Sequence, residues 1–151
     1  MSPELFSKAM ELAVKVHAGK LDRGGKPYIL HPLRIMHSLS GRNDLHLMAL
    51  ALMHDVVEDS TLSWLELEEM GFSSEFLADL KLLTHAPGDD YLEVYIANMK
   101  SSRRACLVKA EDLRDNSDIT RLKGVREKDI ERMVKYHKAY LMIQSFLNEG
   151  K

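Results

Sequence analysis

Cysteine is nearly absent, since Cys106 stands alone among 151 residues. That excludes an internal disulfide and any zinc site built on several thiolates. In the apolar run Ala105-Cys106-Leu107-Val108 it reads as a small core side chain rather than a nucleophile. Long apolar runs are missing too. No stretch approaches the ~18 consecutive apolar residues of a membrane span. The opening residues, with Glu4, Lys8, Glu11 and Lys15, lack the uninterrupted apolar segment of a secretion signal. A cytoplasmic protein with no membrane partner is expected. There is no excess of positive charge: a formal net charge of −2 argues against general nucleic-acid binding. Convincing alternation of apolar and polar residues is also lacking, so the expected fold class is all-α. Without linkers, repeats or low-complexity tracts, and with 45% hydrophobic residues, residues 1–151 are expected to form one domain around its own core.

What is present is a series of capped helical segments. Ser2-Pro3-Glu4 supplies an N-cap, a first-turn proline and a first-turn acid. Phe6, Met10, Ala13, Val14 and His17 then recur at helical spacing up to a stop at Gly19. The glycines and prolines of 20–32 give an ordered loop. Pro32 at the first helical position puts His31 at the N-cap of a helix that runs to about Leu39. Short helices are expected at 62–70 and 75–84, then at 91–99 and from Arg104 to about Asn116. In the last helix, Ile130, Met133, Val134, His137 and Leu141 form an i, i+3, i+4 stripe. Trp64 and the methionines read as core fillers.

The stretch from Leu45 to Ser60 is the centre of the pattern. Its apolar residues leave no polar face, so as a helix it is buried on all sides, and it then ends in His54, Asp55, Glu58 and Asp59. Carboxylates at a helix C-terminus face the negative end of the macrodipole, which costs roughly 0.3–1 kcal/mol per charge. Two readings follow. Either a cation sits there, or the acidic end is simply solvated. Charge along the chain is uneven as well: 54–93 holds eleven acids and one lysine, whereas 100–126 holds eight Lys or Arg against four acids. These segments make either a metal-binding wall facing an anion-binding wall, or two solvated surfaces of opposite sign.

Imidazole and carboxylate are the donors that hold divalent transition-row ions when thiolates are absent. His54 and Asp55 supply one of each, His31 a third, and Asp112, between Val108 and Leu113, is the best candidate for a further acid. Four motifs then stand in order: Ala13-x3-His17-x-Gly19, Gly25-x-Pro27-Tyr28-x2-His31-Pro32, His54-Asp55-x2-Glu58-Asp59 and Lys109-x2-Asp112-x3-Asn116. Over nearly the whole chain they resemble the HD-domain phosphohydrolases, specifically the hydrolase domain of RelA/SpoT proteins and their small single-domain relatives. The resemblance implies a helical HD bundle, usually with manganese. It also implies removal of the 3′-pyrophosphate from guanosine tetra- or pentaphosphate, the alarmone of the stringent response. It makes His31, His54, Asp55 and Asp112 the metal ligands, and Glu58 and Asp59 the acids that orient or activate water. Lys20, Arg23, Lys26, Lys109 and Arg114 are candidate phosphate ligands, and Asn116 resembles the family's nucleotide-contacting asparagine.

Two departures concern the substrate. The family's Arg-Lys pair before the glycine is Asp22-Arg23 here, and its Asp-Arg-Leu order is Asp112-Leu113-Arg114. Phosphatase action on another nucleotide, such as a nucleoside monophosphate or a phosphorylated dinucleotide of the NADPH type, is the alternative reading, and a non-catalytic alarmone sensor is another. His17 is assigned to packing or loop bracing. Oligomeric state has no signature in the sequence.

Overall fold

The computed structural model describes residues 1–149. Helix α1 spans Pro3–His17, α2 Leu30–Leu39, α3 Leu45–Met53, α4 Trp64–Glu69, α5 Ser74–Leu83, α6 Arg103–Asn116 and α7 Glu127–Glu149. The all-α expectation holds among the described residues, where an isolated antiparallel bridge between Leu21 and Pro27 only closes a loop. Side-chain caps open most of the helices: Ser2, Asp44, Ser63, Ser73 and Ser102 each accept a hydrogen bond from a first-turn N–H. Ser63 and Glu66 form a complete capping box.

Helix α3 sits at the centre, against α1 and α2 and against α5 and α6, while α6 packs along α7. Its Leu47, Leu50, Leu52 and Met53 are fully buried, as its lack of a polar face requires. The helix is shorter than the apolar stretch implies. It ends at Met53, and 54–59 continues as turns, with Val56 N–H donating to Met53 and Asp59 N–H to Asp55. His54 contributes to this stop, because its Nδ1–H donates to the Ala51 carbonyl at 2.8 Å and competes with the helix ladder.

Three expectations about helices need correction. Helix α2 begins two residues before Pro32, with Ile29 as its N-cap, so His31 lies inside the first turn. Turn bonds from Leu30 N–H to Pro27 and from His31 N–H to Tyr28 start the helix early. Pro32 fits at the third helical position because the first four N–H groups have no intrahelical partner in any case. The segment 91–99 begins as a π-helical turn, Tyr91–Ile96, in which Tyr95 N–H donates to Asp90. In α7 the stripe faces the other way: Ile130, Val134 and Leu141 are 57%, 52% and 55% exposed. Ala139, Ile143 and Leu147 are buried instead, with Tyr136, Tyr140 and Phe146 packed beside them. The aromatic series offers the larger apolar surface: Tyr136 meets Tyr91, Tyr140 meets Arg114 of α6, and Phe146 meets Lys100.

Cys106 is a core residue as expected. It is buried, its thiol donates to the Met99 carbonyl, and burial pushes its pKa up to about 11.

Candidate functional site

Three helices bring the four candidate ligands to one place. His31 comes from the first turn of α2, His54 and Asp55 from the turn that follows α3, and Asp112 from the third turn of α6. One donor atom from each of His31, His54 and Asp55 lies within 4.8 Å of the others. The Asp112 Oδ1 atom is 3.1 Å from His31 Nε2 and 3.5 Å from His54 Nε2. Asp55 Oδ2 stands 3.0 Å from His54 Nε2 and 3.9 Å from His31 Nε2.

The imidazoles are oriented from behind. His31 Nδ1 faces Asp115 Oδ2 at 2.6 Å, and His54 Nδ1 faces the Ala51 carbonyl. Both partners are acceptors, which assigns the ring proton to each Nδ1 and leaves each Nε2 as a lone pair aimed into the cage. Both Nε2 atoms are buried without a hydrogen-bond partner among the described residues. Unpaired buried polar atoms are costly. Two imidazole lone pairs and two carboxylates around one point fit a divalent transition-row ion. Electrostatics points the same way. Burial opposes a charged imidazole, yet the Asp55 and Asp112 carboxylates outweigh it for His54, and Asp112 and Asp115 do so for His31. The cage therefore favours positive charge.

Neighbouring residues hold the carboxylates. Tyr28 donates its hydroxyl to Asp55 at 2.5 Å. Lys109 Nζ is 2.7 Å from Asp112 Oδ2, and Asn116 Nδ2 donates to Asp112 Oδ1 at 2.8 Å. Burial would raise the Asp112 pKa, but the Lys109 charge and the two imidazoles hold it well below the carboxylate range. Glu58 and Asp59 diverge at the rim of the site. Glu58 accepts from the His85 backbone N–H, while Asp59 turns toward Lys20, whose ammonium donates to the Asp59 carbonyl at 3.0 Å. Partial burial raises the Glu58 pKa; the His85 N–H works the other way, and the Asp55 charge adds to the rise. His17 is buried 4.8 Å from the Tyr28 ring, with Nδ1 3.6 Å from Asp59.

A cavity of about 260 Å³ opens beside the cage. Tyr28 and Asn116 belong to both, since each bonds a cage carboxylate and also lines the cavity. Arg23, Asp22 and Arg121 line it from the loops, and Tyr136 from α7. Among the candidate phosphate ligands, only Arg23 lines this cavity. Lys20 sits beside Asp59, and Lys109 lies buried behind Asp112 against Tyr95. Lys26 is exposed outside the cavity wall. Arg114 is turned away, with its guanidinium on Glu111 and the Tyr140 hydroxyl. The reversed Asp112-Leu113-Arg114 order accounts for this, because the position after Asp112 is taken by buried Leu113.

Three further residues act at the site without a role expected from sequence: Asp115, Tyr28, which stood only within a motif, and Arg121. The spacing of Asp112 and Asp115 on one helix face is a signal for the first, and the Gly25-x-Pro27-Tyr28 motif for the second. Nothing in the pattern marks Arg121. Its guanidinium joins Asp22 at 3.1 Å to Asp115 at 2.7 Å and so ties the loop to the carboxylate behind His31. Asp22 also accepts from the N–H groups of Gly24 and Lys26, both at 2.9 Å, so its carboxylate is occupied within the loop.

No family model matches the chain. Curated relatives do. A GTP pyrophosphokinase rsh of Brucella ovis is 30% identical over 114 residues, covering 73% of this chain and 15% of the relative. A probable GTP pyrophosphokinase of Mycobacterium leprae is 40% identical over 78 residues, 50% of this chain and 10% of the relative. A probable guanosine-3′,5′-bis(diphosphate) 3′-pyrophosphohydrolase of Synechocystis is 28% identical over 113 residues, 73% of this chain and 14% of the relative. A solved structure described as a metazoan ortholog of SpoT that hydrolyses ppGpp superposes with a TM-score of 0.77 at 21% identity, covering 99% of this chain and 97% of that one. The chain has the all-helical fold of that SpoT ortholog. The chain spans about 15% of the length of the Brucella pyrophosphokinase it matches. In this fold, the bundle matched from end to end carries the cage, and α7, which lines the cavity, lies within the match.

Proposed function

We propose that this chain is a metal-dependent phosphohydrolase that removes the 3′-pyrophosphate of guanosine tetra- or pentaphosphate. The observation that carries the reading is the pair of buried, unpartnered imidazole nitrogens facing two carboxylates beside a cavity. The similarity to proteins described as acting on guanosine bis(diphosphate) supports the substrate class.

His31, His54, Asp55 and Asp112 would hold the metal, with manganese as the ion. When bound, a divalent ion supplies Lewis acidity toward a phosphoryl oxygen and toward the attacking water. The chain's own residues do the rest. Asp115 and the Ala51 carbonyl keep both imidazoles in the tautomer that presents Nε2. Glu58 accepts a proton from the water that attacks phosphorus, a task suited to a carboxylate whose pKa is raised. Asp59, whose carboxylate lies 3.9 Å from the Lys20 ammonium, orients that water. The bond between phosphorus and the nucleotide 3′ oxygen breaks, pyrophosphate carries the water oxygen away, and the 3′ oxygen takes up a proton. Asn116 and Arg23 bind the nucleotide, while Lys109 acts from behind by fixing Asp112.

Asp22 does not oppose an anionic substrate, because its carboxylate is engaged by Arg121, which brings a guanidinium to the same cavity wall. A cytoplasmic site of action belongs to the same proposal. Among the described residues no helix is long and apolar enough to cross a membrane. The test is a panel of nucleotides offered to manganese-loaded protein, with products identified. Release of pyrophosphate from guanosine tetraphosphate supports the reading. Phosphate release from a nucleoside monophosphate or NADPH alone moves the activity to another substrate, and tight binding with no turnover makes the protein a sensor.

A further inference from the structure

The apolar stripe on the outer face of α7 is left uncovered by the bundle. Ile130, Val134 and Leu141 are more than half exposed, and exposed His137 completes the row. Single apolar residues on a surface need no explanation, but these follow one another at spacings of four, three and four. That is the seam of a two-stranded coiled coil, with Ile130 and His137 at d positions and Val134 and Leu141 at a positions. Ala139, Ile143 and Leu147 on the opposite face are buried against the bundle, so the seam points outward.

Charges beside the seam identify what covers it. Glu131 and Lys138 are exposed at e positions, about 10 Å apart along the helix axis and so too distant to pair with each other. Among the described residues neither belongs to an ion pair. Lys135, four residues after Glu131, lies over the Tyr91 ring at 4.7 Å instead. The residues three and four away from Lys138 are Val134, Lys135, Leu141 and Met142, none of them acidic. Laying a second α7 antiparallel on the first, with Ile130 facing Leu141, sets Val134 against His137 and brings Glu131 opposite Lys138. Two-fold symmetry makes each of these contacts twice. In a parallel, in-register pair His137 would face His137, and Lys138 would meet Met133 rather than an acid.

We propose that the outer face of α7 is an isologous interface, through which two copies of this chain pair antiparallel along the seam, the Glu131 of each on the Lys138 of the other. A strip about 17 Å long and one helix, about 10 Å, wide is smaller than the roughly 800 Å² per partner of a standard interface. The dimer is therefore a weak one, half-formed at micromolar concentration. Its existence is independent of the hydrolase reading.

The test is sedimentation velocity on the full chain between about 1 and 300 µM, the range in which a weak dimer assembles. The weight-average mass should climb from 17.2 kDa toward twice that value. Leu141→Glu should stay monomeric throughout. Glu131→Lys places like charges opposite each other at both ends of the seam, and so does Lys138→Glu, so each variant alone should dimerise about tenfold more weakly. Mixed in equal amounts the two variants are complementary, and wild-type association should return. All three positions are exposed, and circular dichroism checks that each variant keeps its fold. A wild type that is monomeric at every concentration overturns the proposal and leaves the face to a different partner. A dimer indifferent to Leu141→Glu overturns it too, by placing the interface elsewhere. Failure of the mixed variants to recover association rules out the antiparallel register.

Discussion

Replacing Asp115 with alanine should weaken metal binding although Asp115 touches no metal. Its Oδ2 atom accepts from His31 Nδ1 at 2.6 Å and from Arg121 at 2.7 Å, while Arg34 grips both carboxylate oxygens at 2.7 and 2.9 Å. The carboxylate thus fixes the tautomer, the ring angle and the basicity of one of two nitrogen donors. Loss of such a partner behind a ligating histidine costs about 10–100-fold in metal affinity, or roughly 1.4–2.7 kcal/mol. Stability should also fall, because His31 is only 2% exposed and its Nδ1–H would be left without an acceptor, at about 1–3 kcal/mol. Asp115→Asn separates the effects, since its amide oxygen still accepts the Nδ1–H while the charge is gone. Manganese titration followed by calorimetry or electron paramagnetic resonance should rank wild type tightest, then Asn, then Ala. An Ala variant that binds manganese as tightly as wild type would refute the reasoning, because His31 would then need no support from Asp115.

Asp55→Ala should lose metal, activity and thermal stability together, whereas Glu58→Gln should keep metal and nucleotide binding and turn over about 10²–10⁴-fold more slowly. Metal content and kcat measured side by side decide this, and metal loss in Glu58→Gln would make that acid a ligand. Arg23→Glu should raise KM for a polyphosphorylated nucleotide and change its salt dependence, and unchanged kinetics would place the substrate outside the cavity. Leu50→Ala, at a fully buried position of α3, should destabilise by about 3–5 kcal/mol in urea unfolding, with less than 1 kcal/mol pointing to a core that collapses around the gap. The Asp44 carboxylate caps α3 and pairs with Arg104 at 3.1 Å; burial would raise its pKa, but the Leu47 N–H and Arg104 hold it below the ordinary value. Its contribution is therefore present above the unfolded pKa of ~3.9 and lost as pH falls through the lower folded value. In Asp44→Asn the drop in stability between neutral and acidic pH should be shallower, and an identical slope would remove Asp44 from the acid response.

Local chemistry accounts for what could be read from the chain. Ser2, Ser63 and Ser73 announce helix starts because their oxygens accept from N–H groups two or three residues on, and α3 is central because it has no polar face to expose. His31, His54, Asp55 and Asp112 stood in motifs that resemble a known family, and the structure gathers them at one point. Features settled by tertiary contact were not legible. Two stripes compete on α7, and only the packing of α6 along α7 selects the one that is buried. Pro32 is compatible with either the first or the third helical position, and the turn at Tyr28 decides between them. Arg121 lies 99 residues from Asp22, so their pairing has no local trace. The exposed basic residues were the least legible, because the same charge serves equally well on a solvated face, as Arg114 does, or in a cavity, as Arg23 does.

The most direct test is a titration of metal-depleted protein with manganese, in which the initial rate of pyrophosphate release from guanosine tetraphosphate is followed against metal added. A rate that rises linearly and breaks at one equivalent per chain, with no such break in Asp112→Ala, is the predicted result. Full hydrolysis before any metal is added, or none after one equivalent has bound, would contradict the account.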